Sequence, residues 1–234
     1  MMMTLIVVAV VSGALLIGAA WGLYGPLKER TEGFLVALAG GALLLSVVTE
    51  LIEPSMEEST LLVSSIGVAL GAGVFALVDY LIDEKWGPSK GGGLLAAITL
   101  DGVPENLALG VALIGAGAPE VAALAGSILL SNLPEAAGGA RQMSESKMGK
   151  AKVMGLWAAT AALLSLAAIA GNFLLAGASP HLLAFIRCFA AGAVVASLAT
   201  EVFPQAFRED RHLAGVATAV GVLMALALGE LGGS

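Results

Sequence analysis

Apolar residues run along this chain in eight long blocks, broken by glycine, a few prolines and a few hydroxyl, amide and charged side chains. A helix needs about 20 mostly apolar residues to cross the hydrocarbon of a bilayer. By that ruler the blocks predict spans at residues 4–24, 33–52, 61–82, 92–116, 121–140, 152–176, 182–206 and 213–232. Short polar breaks separate them: GPLKERTE, EPSMEEST, DEKWGPSKGG, GAPE, RQMSESKMGKAK, GASPH and REDRH. No Lys or Arg precedes the first block, which is also longer than the apolar core of a secretory signal, so it predicts a membrane span. With no long tail or low-complexity linker between blocks, residues 1–234 predict one compact domain. Backbone groups in lipid must be satisfied internally, so helices are the expected form.

Composition narrows the classes. The chain is 58% hydrophobic and 12% charged, against about 25% charged for an ordinary soluble domain. Too few polar side chains remain to coat a water-facing surface, which excludes a soluble enzyme. Lys and Arg number 11 against 18 Asp and Glu, so no basic stripe exists to neutralise phosphates and nucleic-acid binding is excluded as well. The single Cys188 cannot form an internal disulfide. Abundant Gly and Ala suit close helix–helix approach in lipid.

Charge also orients the spans. The breaks after spans 1, 3, 5 and 7, with their flanks, hold Lys28, Arg30, Lys85, Lys90, Arg141, Lys147, Lys150, Lys152, Arg208 and Arg211, while the other side holds only Arg187. Positive charge marks the cytoplasmic side, so both termini are expected outside the cytoplasm, in the plasma membrane. Glu53, Glu57, Glu58, Glu120 and Glu230 make the opposite side acidic, which would concentrate cations there or merely keep the loops soluble.

Two sequence repeats follow. AGGALLLSVVTE ends at Glu50 and AAGAVVASLATE at Glu201, an offset of 151 that pairs Ser46 with Ser197 and Thr49 with Thr200. Span 2 runs outward and span 7 inward, so spans 1–3 and 6–8 are expected to form an inverted repeat. LDGVPENLALG in span 4 and LSNLPEAAGGA in span 5 align at an offset of 30, again in opposite directions. The expected fold is therefore an all-α polytopic membrane protein with eight transmembrane helices in a 3+2+3 arrangement, spans 1–3 over 4–82, 4–5 over 92–140 and 6–8 over 152–232.

Each central motif sets Pro directly before Glu. Pro104 and Pro134 remove a backbone N–H, which is expected to break a turn and free the carbonyls of Leu100 and Leu130. Asp101 and Glu105, four apart, share a helix face, and Ser131 and Glu135 repeat the spacing with Asn132 alongside. If the faces meet, three carboxylates, a hydroxyl and an amide converge. An ionised carboxylate at the bilayer centre costs about 2.5–3.5 kcal/mol on insertion scales, and no Lys or Arg within the spans lies near these motifs to balance them. A divalent cation held by hard oxygen ligands is the simplest counter-charge. Protonated acids acting as hydrogen-bonded glue are the alternative, but glue gives no reason for three. Glu50 and Glu201, near opposite ends of spans 2 and 7, fit either an ion pathway or interfacial solvation. Asn106 and Asn172 are further pathway candidates. Asp79 reads as interfacial, the Met residues as packing, and His181 and His212 fall near loops on opposite sides.

The pattern resembles the ZIP family of zinc and iron transporters over nearly the whole chain: eight spans, outer termini, 3+2+3 order and Pro-Glu motifs in spans 4 and 5. The family carries His-Asn-x-Pro-Glu-Gly in span 4 and a His- or Gln-led Pro-Glu motif in span 5. Here these read Asp101-Gly102-Val103-Pro104-Glu105-Asn106 and Ser131-Asn132-Leu133-Pro134-Glu135-Ala136. The resemblance implies a primary metal site at Asp101, Glu105, Ser131 and Glu135, with Asn132 on an adjoining site. It also implies inward zinc transport by alternating access, no prosthetic group, no enzymatic activity, and often a homodimer. Neither motif begins with His, Gly102 replaces an Asn ligand, and span 6 lacks an acid, so one strong metal site is expected instead of two. An all-oxygen set also suits Mn²⁺, Fe²⁺ or Mg²⁺. Two rivals stay open: a cation-coupled carrier of a small organic cation, and an intramembrane metalloenzyme of the Glu-x-x-His type, against which stands the absence of His from every predicted span.

Overall fold

The computed structural model describes the backbone of residues 2–86, 91–114 and 122–232, and the side chains of these apart from 3, 83, 85, 86, 91–98, 101, 122, 123, 231 and 232. Among the described residues there is no strand, and eight continuous helical rods carry the chain. They are α1 (Met2–Tyr24), α2 (Glu29–Val47) running through a π turn into α3 (Glu53–Glu58), α4 (Leu61–Trp86), α5 (Gly91–Ala112), α6 (Ala122–Glu145), α7 (Lys150–Leu174), α8 (Pro180–Ser197) running through a second π turn into α9 (Phe203–Glu209), and α10 (Ala214–Gly232). Among the described residues five rods are long and apolar enough to cross a membrane: Thr4–Tyr24, Glu29–Glu58, Leu61–Ile82, Lys150–Leu174 and Pro180–Glu209. Their outward faces carry exposed Ile17, Leu62, Leu77, Leu166 and Leu182, apolar surface that lipid covers without cost. These are the features of an integral membrane protein.

Local chemistry explains the rod ends and the π turns. At the start of α8, Ser179 accepts from the Leu182 N–H, and Pro180 occupies a first-turn position where its missing donor does no harm. The π turns span Val48–Ile52 and Leu198–Val202, each ending two residues before a proline. Pro54 and Pro204 cannot donate to the preceding turn, and the ladder slips by one residue: Glu53 N–H reaches the carbonyl of Val48, and Phe203 N–H that of Leu198. The prolines of the central motifs behave otherwise. Helices α5 and α6 run without a break through Pro104 and Pro134, which corrects the expected interruption there; a lost donor in lipid is tolerated where neighbouring helices take up the freed groups.

The rods pack as two groups of four. In one, α1 lies against α6 and α7, and α5 against α7 and α6. In the other, α4 packs on α8, α10 on α2, α9 on α2 and α3 on α8. Two seams join the groups, α2 with α6 and α5 with α8. The closest approaches in the second group come in matching pairs. A Cβ on Gly41 would fall on the Thr218 carbonyl and one on Gly192 on the Val68 carbonyl. Likewise Gly221 meets the Leu38 carbonyl and Gly71 that of Phe189. Within the first group Thr4 pairs with Asn172 and Ser12 with Ser165, so α1 and α7 run antiparallel. The central core gathers Val11, Leu43, Val47, Leu109, Ile128, Ala191 and Val194 where the groups meet.

Candidate metal centre

The two Pro-Glu motifs lie on α5 and α6, inside the first group. On α5, Gly102 faces Leu164 of α7 and Gly110 faces Ala168, which places Asn106, midway between them, on the same side. On α6, Asn132 donates from Nδ2 to the Val11 carbonyl of α1 at 3.1 Å. Glu105, Asn106 and Asn132 are 4%, 1% and 2% exposed, so all three are withdrawn from the lipid face. Ser131 and Glu135 are half-buried on the same helix. The Asp101 side chain, a member of the expected ligand set, lies outside the described residues. Among the described residues no group of three or more His, Cys, Asp or Glu is arranged to hold a metal ion.

The amides are committed in a definite way. Asn132 gives its nitrogen to α1, which leaves Oδ1 as the atom able to serve as a ligand. Asn106 donates from Nδ2 to the Gly102 carbonyl at 2.9 Å, while its buried Oδ1 has no hydrogen-bond partner among the described residues. A buried acceptor without a donor costs about 1–3 kcal/mol, and a cation is one way to recover it. Asn106 thereby becomes a stronger ligand candidate than its sequence context indicated. Asn172 does not: its Nδ2 donates to the Gly110 carbonyl at 3.1 Å and its Oδ1 accepts from Thr4 at 3.2 Å. Both ends are used, making it a strut between α1, α5 and α7. At Gly102 a Cβ would sit 2.7 Å from Leu164 Cδ1 in the core, so an Asn side chain has no room there unless Leu164 moves.

Glu50 and Glu201 belong to the second group, each within a π turn and half-buried. Thr49 Oγ1 lies 3.3 Å from Glu50 Oε1 and 3.2 Å from the Leu45 carbonyl, and Thr200 donates to the matching Ala196 carbonyl at 3.1 Å. The turn bearing Glu50 borders α5. The two acids thus occupy equivalent places on rods that flank the motif helices.

Another polar cluster was not anticipated. Arg141, placed by sequence in a loop, belongs to α6, which continues to Glu145. Its Nη2 meets Glu32 Oε2 of α2 at 3.0 Å, its Nη1 donates to the Leu27 carbonyl at 3.3 Å, and Glu145 lies 3.9 Å from Nε. From α9, Gln205 Nε2 reaches Glu209 Oε1 at 3.0 Å and Glu32 Oε1 at 3.5 Å. Glu32 is 2% exposed, and Gly138 of α6 leaves the space its carboxylate fills. The signal available in sequence was spacing: Glu32, Ala39 and Ser46 recur at intervals of seven, one face of a single helix. At the other end of the molecule Arg187 Nη1 donates to Glu58 Oε2 at 2.9 Å, and Ser59 and His181 are hydrogen-bonded at 3.0 Å. No protein-family model matches the chain, and no curated protein does either.

Proposed function

We propose that this chain carries a divalent metal cation across a membrane by alternating access, with the cation held between α5 and α6. The observation that carries the reading is the trio Glu105, Asn106 and Asn132, buried on two proline-bearing helices of an apolar eight-rod molecule. A carboxylate and amide oxygens so placed are hard donors suited to Zn²⁺, Mn²⁺ or Fe²⁺, and ionisable groups at membrane depth mark ion pathways more often than structural posts. Asp101, Ser131 and Glu135 complete the ligand set by their positions in the motifs. Gly102 supplies no ligand atom where the family has Asn, which favours one site over two. The metal is cargo, zinc by family resemblance, and the chain is not an enzyme.

The finer architecture belongs to the same proposal. The 3+2+3 order with inverted repeats is supported by the matched helix pairs: α1 on α6 with α7 on α5, α4 on α8 with α10 on α2, and α1 antiparallel to α7. With Lys and Arg on the cytoplasmic side of a plasma membrane and both termini outside, Glu50 lies on the outer approach and Glu201 on the inner exit. Uptake follows by movement of the α1–α5–α6–α7 group against the other.

The test is metal flux into proteoliposomes. Glu105→Ala and Glu135→Ala are each expected to lower flux at least about tenfold, as loss of an ionic ligand to a desolvated cation does. Unchanged flux in both would remove the site; flux of small amines in place of metal would move the assignment to an organic-cation carrier.

A further inference from the structure

We infer that Glu32 and Arg141, with Gln205 and Glu209, form a releasable latch that clamps the end of α6 to α2 and α9 and so holds that end of the molecule shut. The inference rests on the transport reading for its purpose, though its geometry does not depend on where the cation binds.

Position is the first argument. Glu32 of α2 and Gln205 and Glu209 of α9 belong to one packing group, and Arg141 of α6 to the other. Any motion of one group past the other must part these side chains. The ion pair at the opposite end, Arg187 with Glu58, joins α8 to α3 within a single group and would ride along with it. Chemistry is the second. A permanent joint between buried helices is as well or better made from apolar side chains, because removing two charges from water offsets most of their attraction. The equivalent places in the other seam follow that rule: the offset of 151 puts Leu183 where Glu32 stands, and the offset of 30 puts Val111 where Arg141 stands. The charged version occurs at only one of two equivalent seams, and at the end of α6 that bears the Pro134-Glu135 motif.

Construction is the third argument. Gly138, one turn before Arg141, leaves a space into which the Glu32 carboxylate fits, and a Cβ there would fall on Oε1. Gln205 spans Glu32 and Glu209 and fixes both acids from the far side. Arg141 is also within reach of Glu145 on its own helix, at 3.9 Å. When α6 withdraws, its guanidinium keeps a partner, which lowers the cost of letting go.

The experiment measures the distance between spin labels on exposed Arg30→Cys and Gln142→Cys, in the full chain with Cys188→Ala, in nanodiscs without metal. The latched protein is expected to give one short population. In Arg141→Met and in Glu32→Gln a second, longer population should grow from under about a tenth to about a third or more. Gly138→Ala tests the same contact without altering any charge and, as a better helix former, keeps α6 intact; it should shift the distribution the same way. Glu58→Gln should leave it unchanged. An unaltered distribution in Gly138→Ala and in whichever charge variants fold overturns the latch. Because neither flux nor metal is read, the two readings fail separately: normal flux in Glu105→Ala with a responsive distance removes the metal site alone, and a fixed distance in a working transporter removes the latch alone.

Discussion

The two seams that join the helix groups, related in sequence by the offsets of 151 and 30, are built from different materials. Along α2 and α6, Ser46 and Ser127 share a hydrogen bond of 2.7 Å near the middle, and Glu32 meets Arg141 at the end. Along α5 and α8, Val111 and Leu183 stand where Arg141 and Glu32 do, Val111 is fully buried, and Ala108, Ala190, Ala191 and Val194 share one apolar core. Ser197, the counterpart of Ser46, is 1% exposed and its Oγ finds no partner among the described residues. A polar seam has a preferred register, because each hydrogen bond and ion pair is satisfied at one alignment. An apolar seam tolerates sliding, since dispersion contacts re-form at neighbouring alignments. The difference predicts a molecule that is pinned along one seam and free to slip along the other.

The largest effect should come from converting one seam into the other in two steps. Arg141→Val leaves Glu32 buried without its counter-ion, and loss of one partner of a buried pair costs about 3–5 kcal/mol. Arg141 keeps a side-chain exposure of 24%, so the lower end, about 3 kcal/mol, is expected in denaturant unfolding from detergent. Adding Glu32→Leu copies the residues of the other seam and should recover stability to within about 1 kcal/mol of wild type. A double variant no better than the single one would show that the seams differ in shape as well as in charge, and the comparison would break.

Much of this was legible in the sequence. Hydrophobic blocks located all eight rods, mostly within a few residues of their ends, because apolar length is dictated by the bilayer and few other arrangements satisfy it. The offsets of 151 and 30 matched α2 with α8 and α5 with α6 as sequence repeats, but they did not indicate the packing partners, which are α1 with α6, α4 with α8, α10 with α2 and α5 with α7. What escaped was whatever depends on a single residue in three dimensions. In sequence Arg141 reads as loop because a cation beside an apolar block looks like its boundary, yet α6 runs one turn further and turns that cation inward. The prolines at 104 and 134 announced breaks that α5 and α6 do not show, while those at 54 and 204 produce π turns. Proline states which donor is lost; neighbouring helices decide how the loss is absorbed. The carboxylates of the candidate site stood out because acids are rare in apolar runs, but that the Oδ1 of Asn106 has no hydrogen-bond partner among the described residues became apparent only with the position of Gly102.

A smaller test uses the paired serines. Ser46→Ala removes a hydrogen bond inside the pinned seam, and interhelical bonds of this kind average about 0.6 kcal/mol in membranes. A loss of up to about 1 kcal/mol is expected, since Ser127 gives up its 2.7 Å bond to Ser46. Ser197→Ala should be neutral or slightly stabilising, because it deletes a buried hydroxyl that makes no bond among the described residues. Equal losses at the two positions would mean that the α5–α8 seam carries a polar tie after all.

The smallest effect is expected at the far end, where Arg187 meets Glu58. That pair is as short as the one at Arg141, 2.9 Å against 3.0 Å, so distance alone predicts similar cost. Exposure separates them: the Glu58 side chain is 40% exposed and that of Glu32 3%. Water solvates Glu58 whether or not Arg187 is present, and exposed ion pairs contribute about 0–1 kcal/mol. Arg187→Met, which leaves the solvated Glu58 behind, should therefore cost under about 1 kcal/mol, falling further as salt is raised, whereas the cost of Arg141→Val should change little with salt because its partner is buried. Unfolding of both variants at low and high ionic strength checks this. A salt-insensitive loss at Arg187 as large as that at Arg141 would show the two ends to be equally fastened, leaving the α2–α6 seam no special hold on the molecule.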